Sequence, residues 1–438
     1  MSNFKMRTPL GEVDLDDVFA LRTNTDLAAN PTGFLDPSNN DLCLRYKKYN
    51  TGTQAAATGF NVMNANGTIT DLNQIFSLPK GMTWIAMGTG IQGFYGNSGV
   101  YAMSAINNSN VYIGGYFTSA GSVSNTRRIA KWNGTNWQAM GTGMDDAVFA
   151  ISAVDNSNVY VGGYFTSAGG VAITSRIAKW NGTDWQSLSS GVNGAVLAIS
   201  ARDNSNVYVG GQFNNIGNDT KKSCVAKWNG TTWQAMGAGI TGNPSIQGVY
   251  VYAISTFDNS NVYVGGQFLS ASGVPNTNGL AKWNGSAWQS MWTGINGTVK
   301  TISVVDNSNV YVGGNFTNVG GDYNKRCIAK WNGTTWRTMG SGIPIVSAYT
   351  AVNTISAIDN SNIYIGGNFT NIGGDFNKNY IAKWDGTTWQ SFGSYFPFNS
   401  SERDVIAMSA VNKSNVYIGG VFSESVSKSN IVKWTNDY

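Results

Sequence analysis

One absence narrows the residue types that could do chemistry in this chain of 438 residues: it has no histidine. That removes the commonest general base, the commonest metal ligand and every Ser-His-Asp or Cys-His nucleophile arrangement. The cysteines Cys43, Cys224 and Cys327 are odd in number. Cys224 and Cys327 also fall at equivalent positions two units apart in a repeat, beyond the Cα separation of about 7 Å that a bridge tolerates, so free thiols are expected. The nearest pair of candidate acids for hydrolysis, Glu402 and Asp404, shares one loop and cannot straddle a glycosidic bond. The loops around Asp322 and Asp375 supply one carboxylate and one asparagine each, short of the six to eight oxygens calcium takes. No cofactor, metal or catalytic residue is expected.

Recognition chemistry remains. Phe94, Tyr95, Tyr250, Tyr349, Tyr395, Phe396 and Phe398 fall in the longer connections of the repeat, and Arg127, Arg128, Lys222 and Arg326 fall in a second set of connections. Aromatic rings stack on apolar surfaces and cations bind acidic groups, a combination that suits a protein partner or a carbohydrate. The competing reading is that these side chains pack on one another or beneath the first 80 residues.

Fourteen of the fifteen tryptophans define the elements that position these residues. Six copies of Lys-Trp-(Asn/Asp)-Gly-x-x-Trp are whole, from Trp132/Trp137 to Trp384/Trp389. The seventh is split between Trp434, near the end of the chain, and Trp84, whose context W-I-A-M-G-T-G matches W-Q-A-M-G-T-G from Trp137. A repeat permuted by one strand is what a closed ring of blades requires. The expected fold is therefore all-β: a seven-bladed β-propeller of four-stranded antiparallel blades over residues 82–438. Residues 84–87 close it as the outer strand of the last blade, and a non-repeat segment, residues 1–81, precedes it.

Each repeat carries four strand signals, here called a, b, c and d, separated by turn residues such as Asp-Asn-Ser-Asn and Asn-Gly-Thr-Thr. The first valine of strand a precedes the tyrosine of strand b by 12 residues in every copy. Only the connection from strand d to the next strand a varies freely. Because the strands alternate in direction, d–a and b–c loops emerge on one face of the disc, and the variable face of a repeat array is the usual binding face. Recurrent elements read as structural. The Gly-Gly pair lets a neighbour approach, and the strand-a serines are small where inner strands converge. The lysine before each strand-c tryptophan forms a surface pair or lays its stem over a ring. Trp292 stands outside the pattern, where most blades have glycine.

A net charge of +4 without basic runs argues against nucleic acid. No apolar stretch reaches membrane-spanning length and no signal peptide is evident, so synthesis in a cytoplasm without export is expected. The Asn-x-Ser/Thr triplets read as turn chemistry and not as glycan acceptors.

The phrase N-V-Y-V-G-G-x-F…A-K-W-N-G-T-x-W resembles the Kelch and galactose-oxidase class of propeller, which implies the fold but not that oxidase's copper chemistry, since the histidine ligands are missing. Two phrases in the first 80 residues, Gly11–Phe19 and Gly67–Phe76, resemble a motif of virion and appendage proteins of large DNA viruses and tailed phages. That resemblance implies a non-enzymatic structural or attachment component of a virion, made in a host cytoplasm. Residues 1–81 would bind other virion or assembly proteins, and the variable face would bind a host-surface protein or glycan. The alternatives are a lectin-like propeller and a glycoside-acting enzyme.

Overall fold

A computed structural model describes residues 83–93, 98–217, 223–242, 248–374, 378–392, 403–422 and 430–436. Before them it describes three small antiparallel pairs, Lys5–Thr8 with Gly11–Asp14, Phe34–Leu35 with Leu42–Cys43, and Asn61–Met63 with Ile69–Asp71. The chain divides into two compact units, Met1–Gly81 and Met82–Tyr438.

The second unit is a seven-bladed β-propeller, each blade a four-stranded antiparallel sheet in the order a-b-c-d. In the first blade the strands are Gly99–Asn107, Asn110–Tyr116, Ile129–Trp132 and Trp137–Gln138. In the last they are Arg403–Asn412, Asn415–Phe422 and Ile431–Thr435, completed by Thr83–Ala86. Trp434 pairs with Trp84 and Lys433 with Ile85. The closing strand thus runs one residue earlier than the sequence indicates, and Met87 follows it.

Strand b is central and buried on both faces, which explains its continuous run of Val, Tyr, Val and Gly. The two glycines answer two different crowding problems. A Cβ on Gly114 would lie 2.3 Å from a methyl of Val148 in the next blade, and one on Gly115 would lie 2.0 Å from the carbonyl oxygen of Gly99 in its own strand a. The first glycine sets blade-to-blade spacing and the second accommodates a bulge in strand a between Val100 and Ala102.

Four side-chain interactions repeat around the ring. The strand-d indole donates to a carbonyl of the preceding blade, as Trp185 does to Met140 at 2.9 Å and Trp233 to Leu188 at 3.1 Å. The strand-a serine accepts from a strand-a amide of the next blade, as Ser104 does from Ala153 and Ser152 from Ala201. The serine is therefore a hydrogen-bond acceptor for an inner-edge amide that no further strand covers, and more than a small residue at a crowded place. The strand-b tyrosine hydroxyl donates to the a–b turn of the next blade, as Tyr112 does to Asn156 at 2.8 Å. The ammonium of the strand-c lysine lies over that tyrosine's ring in all seven blades, 5.4 to 5.8 Å from its centre.

Cys224 and Cys327 are buried free thiols. Both sit just before strand c in left-handed backbone, at φ 61° and 58°. Arg128, Arg176, Gly279, Tyr380 and Asn430 hold the same place and the same sign of φ in the other blades.

Candidate functional site

The d–a and b–c connections form one face, and several are joined there. Ile91–Gln92 pairs with Ser119–Ala120, and Ile240–Thr241 with Ser270–Ala271. In the fifth blade the two inner strands continue outward as Ile295–Asp306 and Asn309–Val319. Eleven large hydrophobic side chains are exposed among the described residues, and nine lie in these connections: Tyr164, Val171, Ile173, Leu269, Trp292, Tyr323, Ile345, Val346 and Tyr349. The apolar exposure is thus concentrated on the face whose loops vary in length.

The residues singled out from sequence separate here. Tyr349 is the most exposed of the nine, at 78%. Arg127 is exposed, and its guanidinium reaches the carbonyl of Asp145 at 3.4 Å. Arg128 is buried: its guanidinium donates to the carbonyl of Phe117 at 2.9 Å and lies 3.9 Å from the centre of the Tyr116 ring, so it braces its own loop. Arg326 is half-buried, with its Nε enclosed and unpartnered. Tyr250 opens strand a of the fourth blade, stacks on Tyr252 at 5.4 Å and accepts a hydrogen bond from Gln212. Phe94, Tyr95, Lys222, Tyr395, Phe396 and Phe398 lie outside the described residues, as does Glu402.

At the centre of the disc the seven inner strands surround a cavity of about 200 Å³. Its wall has two arcs. Tyr101, Phe149, Leu197 and Tyr252, from the first four blades, supply an apolar arc that Ile406 and Met408 of the seventh extend, and Lys300, Thr301 and Thr354, from the fifth and sixth, supply a polar one. Tyr101 and Phe149 stack almost parallel at 5.5 Å, and Tyr164 meets Phe149 edge-on at 5.3 Å. Beside the polar arc, Lys300 Nζ donates to Asn353 Oδ1 at 2.9 Å. Asn353 Nδ2 in turn donates to the Asp404 carboxylate and to the carbonyl of Val405.

Burial pushes the Asp404 carboxyl up to about 6, against the opposing pull of Lys300 and Asn353. Burial likewise lowers the Lys300 ammonium from the ordinary lysine value. Lys300 is open to water from the cavity yet crowded by protein on its other sides, so its charge is only partly solvated. Desolvation raises the Tyr252 hydroxyl to about 12, which keeps it neutral and available as a donor.

Sequence reasoning passed over this cavity because it treated strand a as structural throughout. The signal was there in the residue after the first valine, which reads Tyr101, Phe149, Leu197, Tyr252, Lys300, Asn353 and Ile406 while its neighbours barely change. Of this group only Asp404 stands out in the sequence, as half of an acid pair on one loop, and the structure places it in strand a of the last blade, paired with Val421.

The family model of the Rax2 C-terminal beta propeller domain matches residues 243–417. No curated protein matches the chain. Among solved structures, the chain is similar to the WD40 beta propeller domain of Doa1, at 14% identity over 82% of this chain and 98% of that one, with a TM-score of 0.49. It is also similar to the GH74 xyloglucanase from Xanthomonas campestris, at 12% identity over 81% of this chain and 54% of that one, with a TM-score of 0.50. The chain spans about half the length of the xyloglucanase, and identities this low speak to fold alone.

Proposed function

We propose that this chain is a non-enzymatic attachment protein whose variable propeller face binds a host-surface protein or glycan, while residues 1–81 dock it to other proteins of a virus particle. The observation that carries the binding role is the concentration of nine exposed large hydrophobic side chains in the d–a and b–c connections. A soluble surface exposes such side chains singly, and their gathering on one face marks an interaction site. The non-enzymatic reading is supported by the lack of histidine in the sequence and by a cavity wall built of rings, an ammonium and hydroxyls.

The particle assignment rests on the phrases Gly11–Phe19 and Gly67–Phe76. Mass spectrometry of purified particles tests it, since a particle component must be recovered there in fixed ratio to the others. A chain lacking residues 1–81 retains the entire ring and should fold but fail to incorporate. Incorporation at the full-length level contradicts the docking role.

A further inference from the structure

We infer that the central cavity is a binding site for a single neutral pyranose, the terminal residue of a glycan presented to the variable face. This rests on the reading of that face as the binding face and adds the chemistry of the ligand.

The repeat supplies its own control. The fold makes the same structural demand at the same position of every blade, so a difference between blades at the cavity wall is not set by the ring. Yet the wall is aromatic or aliphatic across five consecutive blades, the seventh and the first four, and carries its polar groups only in the fifth and sixth. The residue before the first valine tells the same story. It is Gly99, Ala147, Ala195, Thr298 or Ala351 in five blades, but Tyr250 in the fourth and Asp404 in the seventh, the two blades on either side of the polar arc.

The ligand follows from what each arc offers. Rings such as Tyr101, Phe149 and Tyr252 present C–H-binding apolar surface, which matches the hydrophobic face of a pyranose. Opposite them, Lys300 has donors beyond the one it gives Asn353, and the Thr301 and Thr354 hydroxyls of the same arc can accept as well as donate. A donor and an acceptor held side by side match adjacent hydroxyls, each of which both gives and receives. The Asp404 carboxyl, linked to Lys300 through Asn353, offsets the ammonium's charge and so disfavours an acidic ligand, while the ammonium itself disfavours a cationic one. The volume of about 200 Å³ is below the range for extended organic ligands and admits one ring. The wall begins at the end of strand a that leads from the d–a loop, so the rest of a glycan leaves through the variable face.

The test is saturation-transfer NMR and calorimetry on the full chain, with free glucose, galactose, mannose, a hexuronate and N-acetylneuraminate as probes. At least one neutral hexose should bind, with transfer to its C–H protons. Lys300→Met and Phe149→Ala should each weaken it at least tenfold while leaving the circular dichroism spectrum unchanged. Asp404→Asn, which preserves shape, provides a third variant should Phe149→Ala fold poorly. Absence of hexose binding at millimolar concentrations overturns the inference, as does preference for the acidic sugars or equal binding by Lys300→Met. So does a peptide ligand that occupies the cavity in preference to any sugar. The reading of the variable face fails separately, when substitutions at Tyr349 and Val346 leave cell-surface binding unchanged.

Discussion

The indole N–H of Trp137 donates to the carbonyl of Met87 at 3.0 Å, joining residues 50 positions apart across the seam where the ring closes. Trp137 belongs to the first blade and Met87 follows the strand that completes the last, so this bond does at the seam what Trp185 and Met140 do between ordinary neighbours. Closure by an N-terminal strand therefore repeats the internal blade contact. Trp137→Phe should cost about 1–3 kcal/mol by removing the buried indole donor and leaving the Met87 carbonyl with the Gly90 amide alone. Urea denaturation checks this against Trp233→Phe at an internal interface, and the two losses should agree. A much smaller loss at Trp137 would mean a seam weaker than the other interfaces.

Trp292 occupies left-handed backbone at φ 74° with 55% of its surface exposed, where Gly141 and Gly340 both have φ 65°. An L side chain there strains the backbone, on the order of 1 kcal/mol or more, partly offset by the greater unfolded-state freedom of glycine. Trp292→Gly should leave thermal stability equal or slightly raised, and should weaken partner binding if the indole is a contact. A clear fall in melting temperature would show that the ring contributes packing instead.

Asp404 gives a pH dependence opposite to that of the turn aspartates. Its folded-state value of about 6 lies above the ordinary 3.8, so the folded protein holds this proton more tightly than the unfolded chain. The stabilising contribution is complete below about pH 4 and is lost as pH rises through about 6. Asp155, Asp203 and Asp359 are shifted downward, mainly by side-chain hydrogen bonds from Asn158, Asn206 and Asn362, so they stabilise above the ordinary carboxylate range and lose that effect as pH falls. Asp404→Asn should therefore gain on the wild type, by on the order of 1–2 kcal/mol, between pH 5 and pH 7.5. Melting temperatures of both proteins at the two pH values measure the difference.

Ser152→Ala removes the acceptor for the Ala201 amide on the inner edge of the next blade. The expected cost is about 1 kcal/mol, seen as a lower urea midpoint with unchanged slope, and sugar binding should be unaffected because the serine does not line the cavity. An effect on binding without one on stability would place the hydroxyl in the site.

The ring was legible because its determinants are periodic. Trp84, Trp434 and the 12-residue spacing from valine to tyrosine fix blade number and closure without any coordinates. The partners of the repeated residues were harder to read, since the Trp–carbonyl, Ser–amide and Tyr–Asn bonds each join different blades and depend on blade packing. The cavity was missed for a related reason. Tyr101, Tyr252 and Lys300 lie about fifty residues or more apart and come together only when inner strands converge. Arg128 illustrates the converse: its sequence context resembles that of Arg127, yet it is buried against Tyr116 while Arg127 is exposed.

The central claim is that recognition belongs to the face carrying the d–a and b–c connections, with the cavity at its centre. It is tested most directly on a glycan array with two sets of substitutions in the full chain. One set, Tyr349→Ala, Trp292→Gly and Lys300→Met, alters that face. The other, Phe257→Ser and Lys413→Ala, alters the side bearing the a–b turns. Binding to glycans with a neutral terminal hexose should fall at least tenfold in the Lys300→Met protein and measurably in the other two of its set, and should persist in the second set. Loss of binding in the second set with retention in the first would contradict the account.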